Sequence, residues 1–336
     1  MKGAHWVVVL ALAAVLATLL PSCANLDQTP ETALVRQPGE RVYGPPVPIE
    51  QEARKHWEVA LLSQSAYAQV TKDKQAPPAP PPGSALAAPP RDAATGADVM
   101  GDCRSSAKTL LLKAGWQRWS DFPEAGLADA MRKTHLRVEV WERRDPAAVV
   151  VAFGGTVFTS RDDWLANLRW FVPWHTDAYT QVVEQLGPAF VRRYAERLTD
   201  PASQHLKGAP LYTAGHALGG GLAQQFAYAL PQSAVVPRVH TAYAFDPSPA
   251  SGYSSVDKAR RDENERNLAI DRILERDDLL AALRSIIDFV HPPSAEQPAI
   301  RTVRYQLFYT LNPIAVHSMG KLACRLYEAS DHSIED

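Results

Sequence analysis

The chain has 336 residues, 46% hydrophobic and 21% charged, an ordinary globular composition with enough length for one large domain and appendages. Its 35 basic and 37 acidic residues leave a formal charge of -2, scattered rather than blocked, so nucleic acid is set aside as a partner. The basic cluster Lys258, Arg260 and Arg261 sits among Asp257, Asp262, Glu263 and Glu265 and reads as a solvated helix face.

At the N-terminus, Lys2 precedes an apolar run from Trp6 to Leu20 that ends at Leu20-Pro21-Ser22-Cys23, the pattern of a signal peptide over residues 1–22. The run is shorter than the ~20 residues a spanning helix needs. Its ending resembles a bacterial lipobox, in which the cysteine is acylated and becomes the mature N-terminus. That resemblance implies a lipoprotein of the bacterial cell envelope tethered through a lipidated Cys23. Ala24, in place of an aspartate, then points to the outer membrane and a domain facing the periplasm. A cleaved, secreted protein is the alternative. Lipidation of Cys23 leaves Cys103 and Cys324, either one disulfide in an oxidising compartment or two buried thiols.

Residues 23–48 are polar and proline-containing and read as a tether, with the folded domain over 49–336. Ala53, Trp57, Ala60, Leu61, Gln64 and Tyr67 recur at helical spacing, which predicts an amphipathic helix over about 49–70. The proline-rich stretch at about 76–92 suits neither helix nor sheet interior and is expected to be an exposed insertion within one domain. Beyond residue 105 the pattern alternates. A helix near 105–115 is followed by strands at 136–141 and 148–153, then by helices at 161–170 and 176–198. The strand Leu211–Thr213 leads into a helix at 218–230, and further strands are expected at 239–245, 268–274 and 302–309. Such alternation predicts an α/β fold, a mostly parallel central sheet covered by helices on both faces.

The motif that carries chemistry is Gly215-His216-Ala217-Leu218-Gly219, set between that strand and the helix after it. It matches the Gly-x-Ser-x-Gly nucleophile elbow, in which small flanking residues avoid collision with neighbouring backbone, except that alanine stands at the serine position. The turn can survive the exchange, because only a hydroxyl oxygen is removed. Upstream lie Phe153-Gly154-Gly155-Thr156 and then Arg161-Asp-Asp-Trp164-Leu-Ala-Asn-Leu168.

Together these motifs resemble the class 3, or fungal-type, lipase family of the α/β-hydrolase superfamily, over about residues 49–330. Gly154 departs from the family's usual arginine. The resemblance implies an oxyanion hole formed by Thr156 and the amide of Leu218, because acyl transfer places negative charge on the substrate carbonyl oxygen. It implies a catalytic acid in the segment after the strand at 268–274, where Asp277 is the choice, with Asp246 second and Asp278 read as a helix cap. It implies His317 as the base. His216 is expected to pack within the elbow, and His175 to have no catalytic role. The aromatic group Phe158, Trp164, Trp170, Phe171 and Trp174 falls where the family carries its lid and acyl-chain contacts. No cofactor is implied, and no cysteine or histidine pair has metal-ligand spacing.

Loss of the serine in a triad hydrolase lowers kcat by about a million-fold. Two functions therefore stand side by side. One is an ester hydrolase scaffold for acylglycerols or phospholipids, inactive with Ala217 in place. The other is a membrane-tethered pseudoenzyme whose old pocket binds a lipid or protein partner.

Overall fold

The computed structural model describes residues 28–67, 106–134, 136–155, 177–248, 251–276, 278, 294–308 and 316–331. The strand that runs toward the expected oxyanion turn, β5 (Ala147–Gly154), is apolar from end to end and buried on both faces. Its side chains alternate between two cores. Val149, Val151 and Phe153 enter one, while Ala148, Val150 and Ala152 enter the other. A strand with no polar face must be covered on both sides, and that requirement sets the layering of the whole domain.

Nine strands form one sheet in the order β2-β1-β9-β8-β7-β6-β5-β4-β3. Besides β5 these are β1 (Thr32–Arg36), β2 (Val47–Pro48), β3 (Trp116–Arg118), β4 (Arg137–Arg144), β6 (Leu211–His216), β7 (Val239–Phe245), β8 (Ala269–Glu275) and β9 (Ala299–Tyr305). Strands β5 to β9 are parallel, each pairing with the next, whereas β4 pairs antiparallel with β5. The C-terminal ends of the parallel strands therefore lie along one edge of the sheet, where ligand sites of open α/β sheets form.

The helices α1 (Ile49–Ser65), α2 (Ala107–Lys113) and α7 (Met319–Ala329) cover one face. The other face is covered by α4, residues 177–197 with a π-helical stretch at Val182–Leu186, and by α5 (Leu218–Ala229). Two shorter helices, α3 (Ala125–Lys133) and α6 (Lys258–Glu265), complete the described set. No helix among the described residues is long and apolar enough to cross a membrane. Leu61 and Leu62, which precede the proline-rich segment, share a core with Leu110, Val150 and Leu322, which follow it.

Helix α1 is also held by a buried polar network. His56 Nδ1 lies 2.7 Å from the Tyr305 hydroxyl and Nε2 3.2 Å from Asp271 Oδ2, while Arg301 donates to the same Asp271 oxygen at 3.2 Å and pairs with Glu52. Burial raises the Asp271 pKa, but hydrogen bonds and charge from His56 and Arg301 outweigh it and hold the carboxyl below its ordinary value. The network ties α1 to β8 and β9, and so fixes the chain that leaves α1 toward the site.

The expected tether over 23–48 requires correction. Within it, Thr32–Arg36 forms β1, which pairs antiparallel with β9 through Leu34↔Arg304 and Val35↔Val303, and Arg36 donates to the Thr302 hydroxyl at 3.0 Å. Five residues are too few to show a period, and burial in the sheet comes from a partner strand more than 260 residues away, as the Arg36–Thr302 separation of 266 shows. The predicted strands at 136–141, 148–153, 211–213 and 239–245 correspond to β4 to β7, and those at 268–274 and 302–309 to β8 and β9, with β9 starting three residues earlier at Ala299. The acid- and base-rich segment around Lys258 forms α6, whose Lys258, Arg260 and Asp262 are on the surface. The signal peptide, Cys23, Cys103, the insertion at 76–92 and the helix expected at 161–170 lie outside the described residues. Cys324 is buried and disulfide-bonded.

Candidate active site

At the end of β6 the chain turns sharply into α5, and Ala217 at the corner has φ 54 and ψ -120. A residue with a Cβ in that region carries strain of order 1–3 kcal/mol, so the surroundings must enforce it. They do so through both peptide groups. The Ala217 amide donates to Phe245 O at 3.0 Å, and its carbonyl accepts from Gly220, Gly221 and Ser248 at 3.1, 3.3 and 2.8 Å.

The two elbow glycines are required by close approach rather than by φ. A Cβ on Gly215 would lie 2.2 Å from Gly219 O, and one on Gly219 would lie 2.4 Å from Phe153 O. Since the opposing atoms are backbone, no rotamer relieves the clash. Gly215→Ala is therefore expected to lower the unfolding free energy by about 3 kcal/mol, the upper part of the usual overpacking range, as read from urea denaturation. An unchanged midpoint would contradict this packing.

His317 precedes α7 and is 8% exposed. Its Nδ1 lies 2.6 Å from Asp278 Oδ1, and the Asp278 side chain is fully buried. A carboxylate accepts, so Nδ1 is the donor in this bond. His317 Nε2 is buried, with no hydrogen-bond partner among the described residues. The His317 ring lies 4.6 Å, centroid to centroid, from the ring of His216, which precedes Ala217 in the elbow.

The structure bears directly on the expected acid. Asp278, the residue first read as a helix cap, bonds His317, while Asp277 lies outside the described residues. The placement of Asp278 follows from Glu275, the last residue of β8, which is fully buried and accepts from the amides of Leu307 and Phe308 at 3.0 and 3.4 Å. The Glu275 carbonyl accepts from the Asp278 amide at 3.3 Å. One buried carboxylate thereby clamps the turn after β8 to the segment after β9. Asp246, at φ 36, accepts from the Glu275 amide at 3.0 Å and so braces the same corner.

Tyr67, read from the sequence only as one position of a helical stripe, proves to be a site residue. Its hydroxyl donates to His216 O at 3.2 Å and lies 2.8 Å from His216 Nδ1. Burial raises its pKa well above the ordinary tyrosine value, opposed in part by the Arg137 charge and by a hydrogen bond from the Gly155 backbone. The hydroxyl thus joins the end of β5 to the elbow. A Cβ on Gly155 would fall 2.2 Å from it, which accounts for glycine there. At Gly154 a Cβ would fall 2.6 Å from Ala66 O, so the arginine expected at this position has no room. Arg137 on β4 reaches the same turn instead, donating to Gly155 O at 2.9 Å.

The amide of Leu218 opens α5, where the first N–H groups have no carbonyl within the helix to pair with. Thr156, the other expected oxyanion donor, lies outside the described residues, as do His175, Phe158, Trp164, Trp170, Phe171 and Trp174. His216 and His317 lie side by side at the elbow that carries Ala217 and Leu218. The sequence carried no signal for Tyr67 or Glu275, whose roles arise from contacts across 149 and 32 residues of chain.

A mostly parallel sheet flanked by helices, with a strained strand-to-helix turn at the C-terminal ends of its strands, defines an α/β-hydrolase-type protein. More particularly, the chain belongs to the phospholipase-like family of the Tle-like phospholipase domain, whose sequence model matches residues 58–237, more than half of the 336. The match includes β5 and the whole elbow, while Asp278 and His317 lie beyond it. No curated protein shows significant similarity to the chain.

Proposed function

We propose that this chain is a phospholipid-directed member of the serine-hydrolase fold that, with alanine at position 217, binds lipid esters without turning them over. The observation that carries the reading is the buried His317–Asp278 pair beside an alanine held at φ 54. That strain is the signature of a nucleophile elbow. Strained backbone persists where the surroundings over-determine it, and such positions cluster at functional sites.

In the chemistry this geometry suits, a hydroxyl at position 217 attacks the ester carbonyl while His317 Nε2 takes its proton. Asp278 stabilises the imidazolium through Nδ1, and His317 then returns the proton to the leaving alcohol. The Leu218 amide and, by the class 3 lipase resemblance, Thr156 receive the oxyanion. Alanine supplies no attacking atom, so the remaining groups recognise the ester and stop there. The family match supports a phospholipid, and the aromatic group between residues 158 and 174 supports an acyl-chain contact.

The test uses the parent protein with a soluble short-chain phospholipid. Calorimetry is expected to detect binding, and no fatty acid should be released above the background rate. Release at enzymatic rates would sink the inactive reading, and absence of binding would sink the lipid-binding one.

The same reading places the domain at the outer membrane through an acylated Cys23, facing the periplasm. Mass spectrometry of protein purified from a bacterial envelope is expected to find a diacylated or triacylated Cys23 as the first residue. An unmodified N-terminus downstream of it would remove the tether.

A further inference from the structure

Beside Ala217, three buried side chains converge from separate elements. His216 is the last residue of β6, Asp246 follows β7, and His317 precedes α7. One ligand atom from each lies within 4.8 Å of the other two. Spacing in the sequence conceals the cluster, because 30 and 71 residues separate its members.

The hydrogen-bond geometry suits metal binding. The His317 Nδ1 proton is committed to Asp278 at 2.6 Å, and Nε2, on a side chain 5% exposed, has no hydrogen-bond partner among the described residues. The Tyr67 hydroxyl lies 2.8 Å from His216 Nδ1 and donates to the His216 carbonyl at 3.2 Å, so it orients that ring from behind. Asp246 has one oxygen fixed by the Glu275 amide at 3.0 Å. Each of the three groups thus has an outer partner that orients it, as ligating histidines and carboxylates require.

We propose that His216, Asp246 and His317 form a binding site for a divalent transition-metal ion of the zinc class. Two imidazoles and one carboxylate select such an ion over magnesium or calcium, which take oxygen ligands. In a tetrahedral site with bonds of about 2.0–2.1 Å, ligand atoms sit about 3.4 Å apart, so a modest inward movement closes the cluster. Ala217 matters because it offers His317 Nε2 no hydroxyl to bind. The proposal shares His317 with the hydrolase reading but uses none of its chemistry.

The experiment takes untagged protein, stripped with a chelator, and titrates it with Zn2+ by calorimetry and with Co2+ by visible absorption. One ion per chain is expected, with the intense Co2+ bands of a four- or five-coordinate site. His317→Ala, His216→Ala and Asp246→Asn should each weaken binding by more than tenfold, and Tyr67→Phe and Asp278→Asn by about 10- to 100-fold, as outer partners do. Circular dichroism establishes that each variant is folded. If a ligand variant unfolds, Tyr67→Phe still decides the matter, because it leaves all three ligands in place. No saturable binding at one equivalent, or affinities unchanged in the folded variants, overturns the proposal. Hydrolysis is not measured, so a failed metal site and a failed hydrolase reading are told apart.

Discussion

Ala217→Ser is expected to raise the hydrolysis of short-chain phospholipids and soluble acyl esters by on the order of 10⁴- to 10⁶-fold over the parent, approaching the factor that a triad hydrolase loses with its serine. The expectation is large because the conformational work at position 217 is already done. The corner is held at φ 54 by the Ala217 amide on Phe245 O and by three donors on its own carbonyl. Adding one oxygen to a methyl group 1% exposed asks little rearrangement of the core. His317 Nε2 has no hydrogen-bond partner among the described residues, which leaves that nitrogen open to the incoming hydroxyl. Fatty-acid release, together with covalent labelling by a serine-reactive probe, gives the measurement. A folded Ala217→Ser variant that neither turns over ester nor takes the label would show that this elbow and this histidine do not form a catalytic unit.

In that restored background, Asp278→Asn should lower kcat by about 10⁴-fold while leaving KM within a few-fold. The asparagine keeps the shape of the side chain, but its amide can donate to Nδ1 and so favour the wrong tautomer, with the proton on Nε2 where the lone pair is needed. An exchange of this kind in a serine protease triad costs a similar factor. The comparison variant is Asp277→Asn. It should retain nearly full activity, because Asp278 already occupies Nδ1 at 2.6 Å. A larger loss at 277 than at 278 would return the role of the acid to the residue favoured by sequence.

The choice between those neighbouring aspartates shows where sequence reasoning stopped. Both stand in the segment Glu275-Arg276-Asp277-Asp278, and either serves a resemblance that specifies only an acid after the strand. Which one faces His317 depends on how the backbone turns at the end of β8. That turn is fixed by the Glu275 carboxylate on the amides of Leu307 and Phe308 and by Asp246 on the Glu275 amide. None of these contacts has a local signature.

What the sequence determined by itself was whatever depends on neighbours in the chain. The apolar run of β5, the glycines at 215 and 219 and the alternation of strand and helix patterns follow from periodicity and from steric limits on the backbone. They sufficed to set the fold class and to locate the strand-to-helix turn at Ala217. The tertiary structure decided what depends on partners far away in the chain. Strand β1 was hidden because only β9 gives it a face to bury. Tyr67 looked like one more position of a helical stripe because His216 and Gly155, which give its hydroxyl a purpose, arrive from other strands. Asp278 is joined to His317 by a hydrogen bond across 39 residues that no local pattern announces. Period and composition report what a segment buries, whereas a polar side chain's role is set by the direction in which it points, and that direction exists only once the chain has folded.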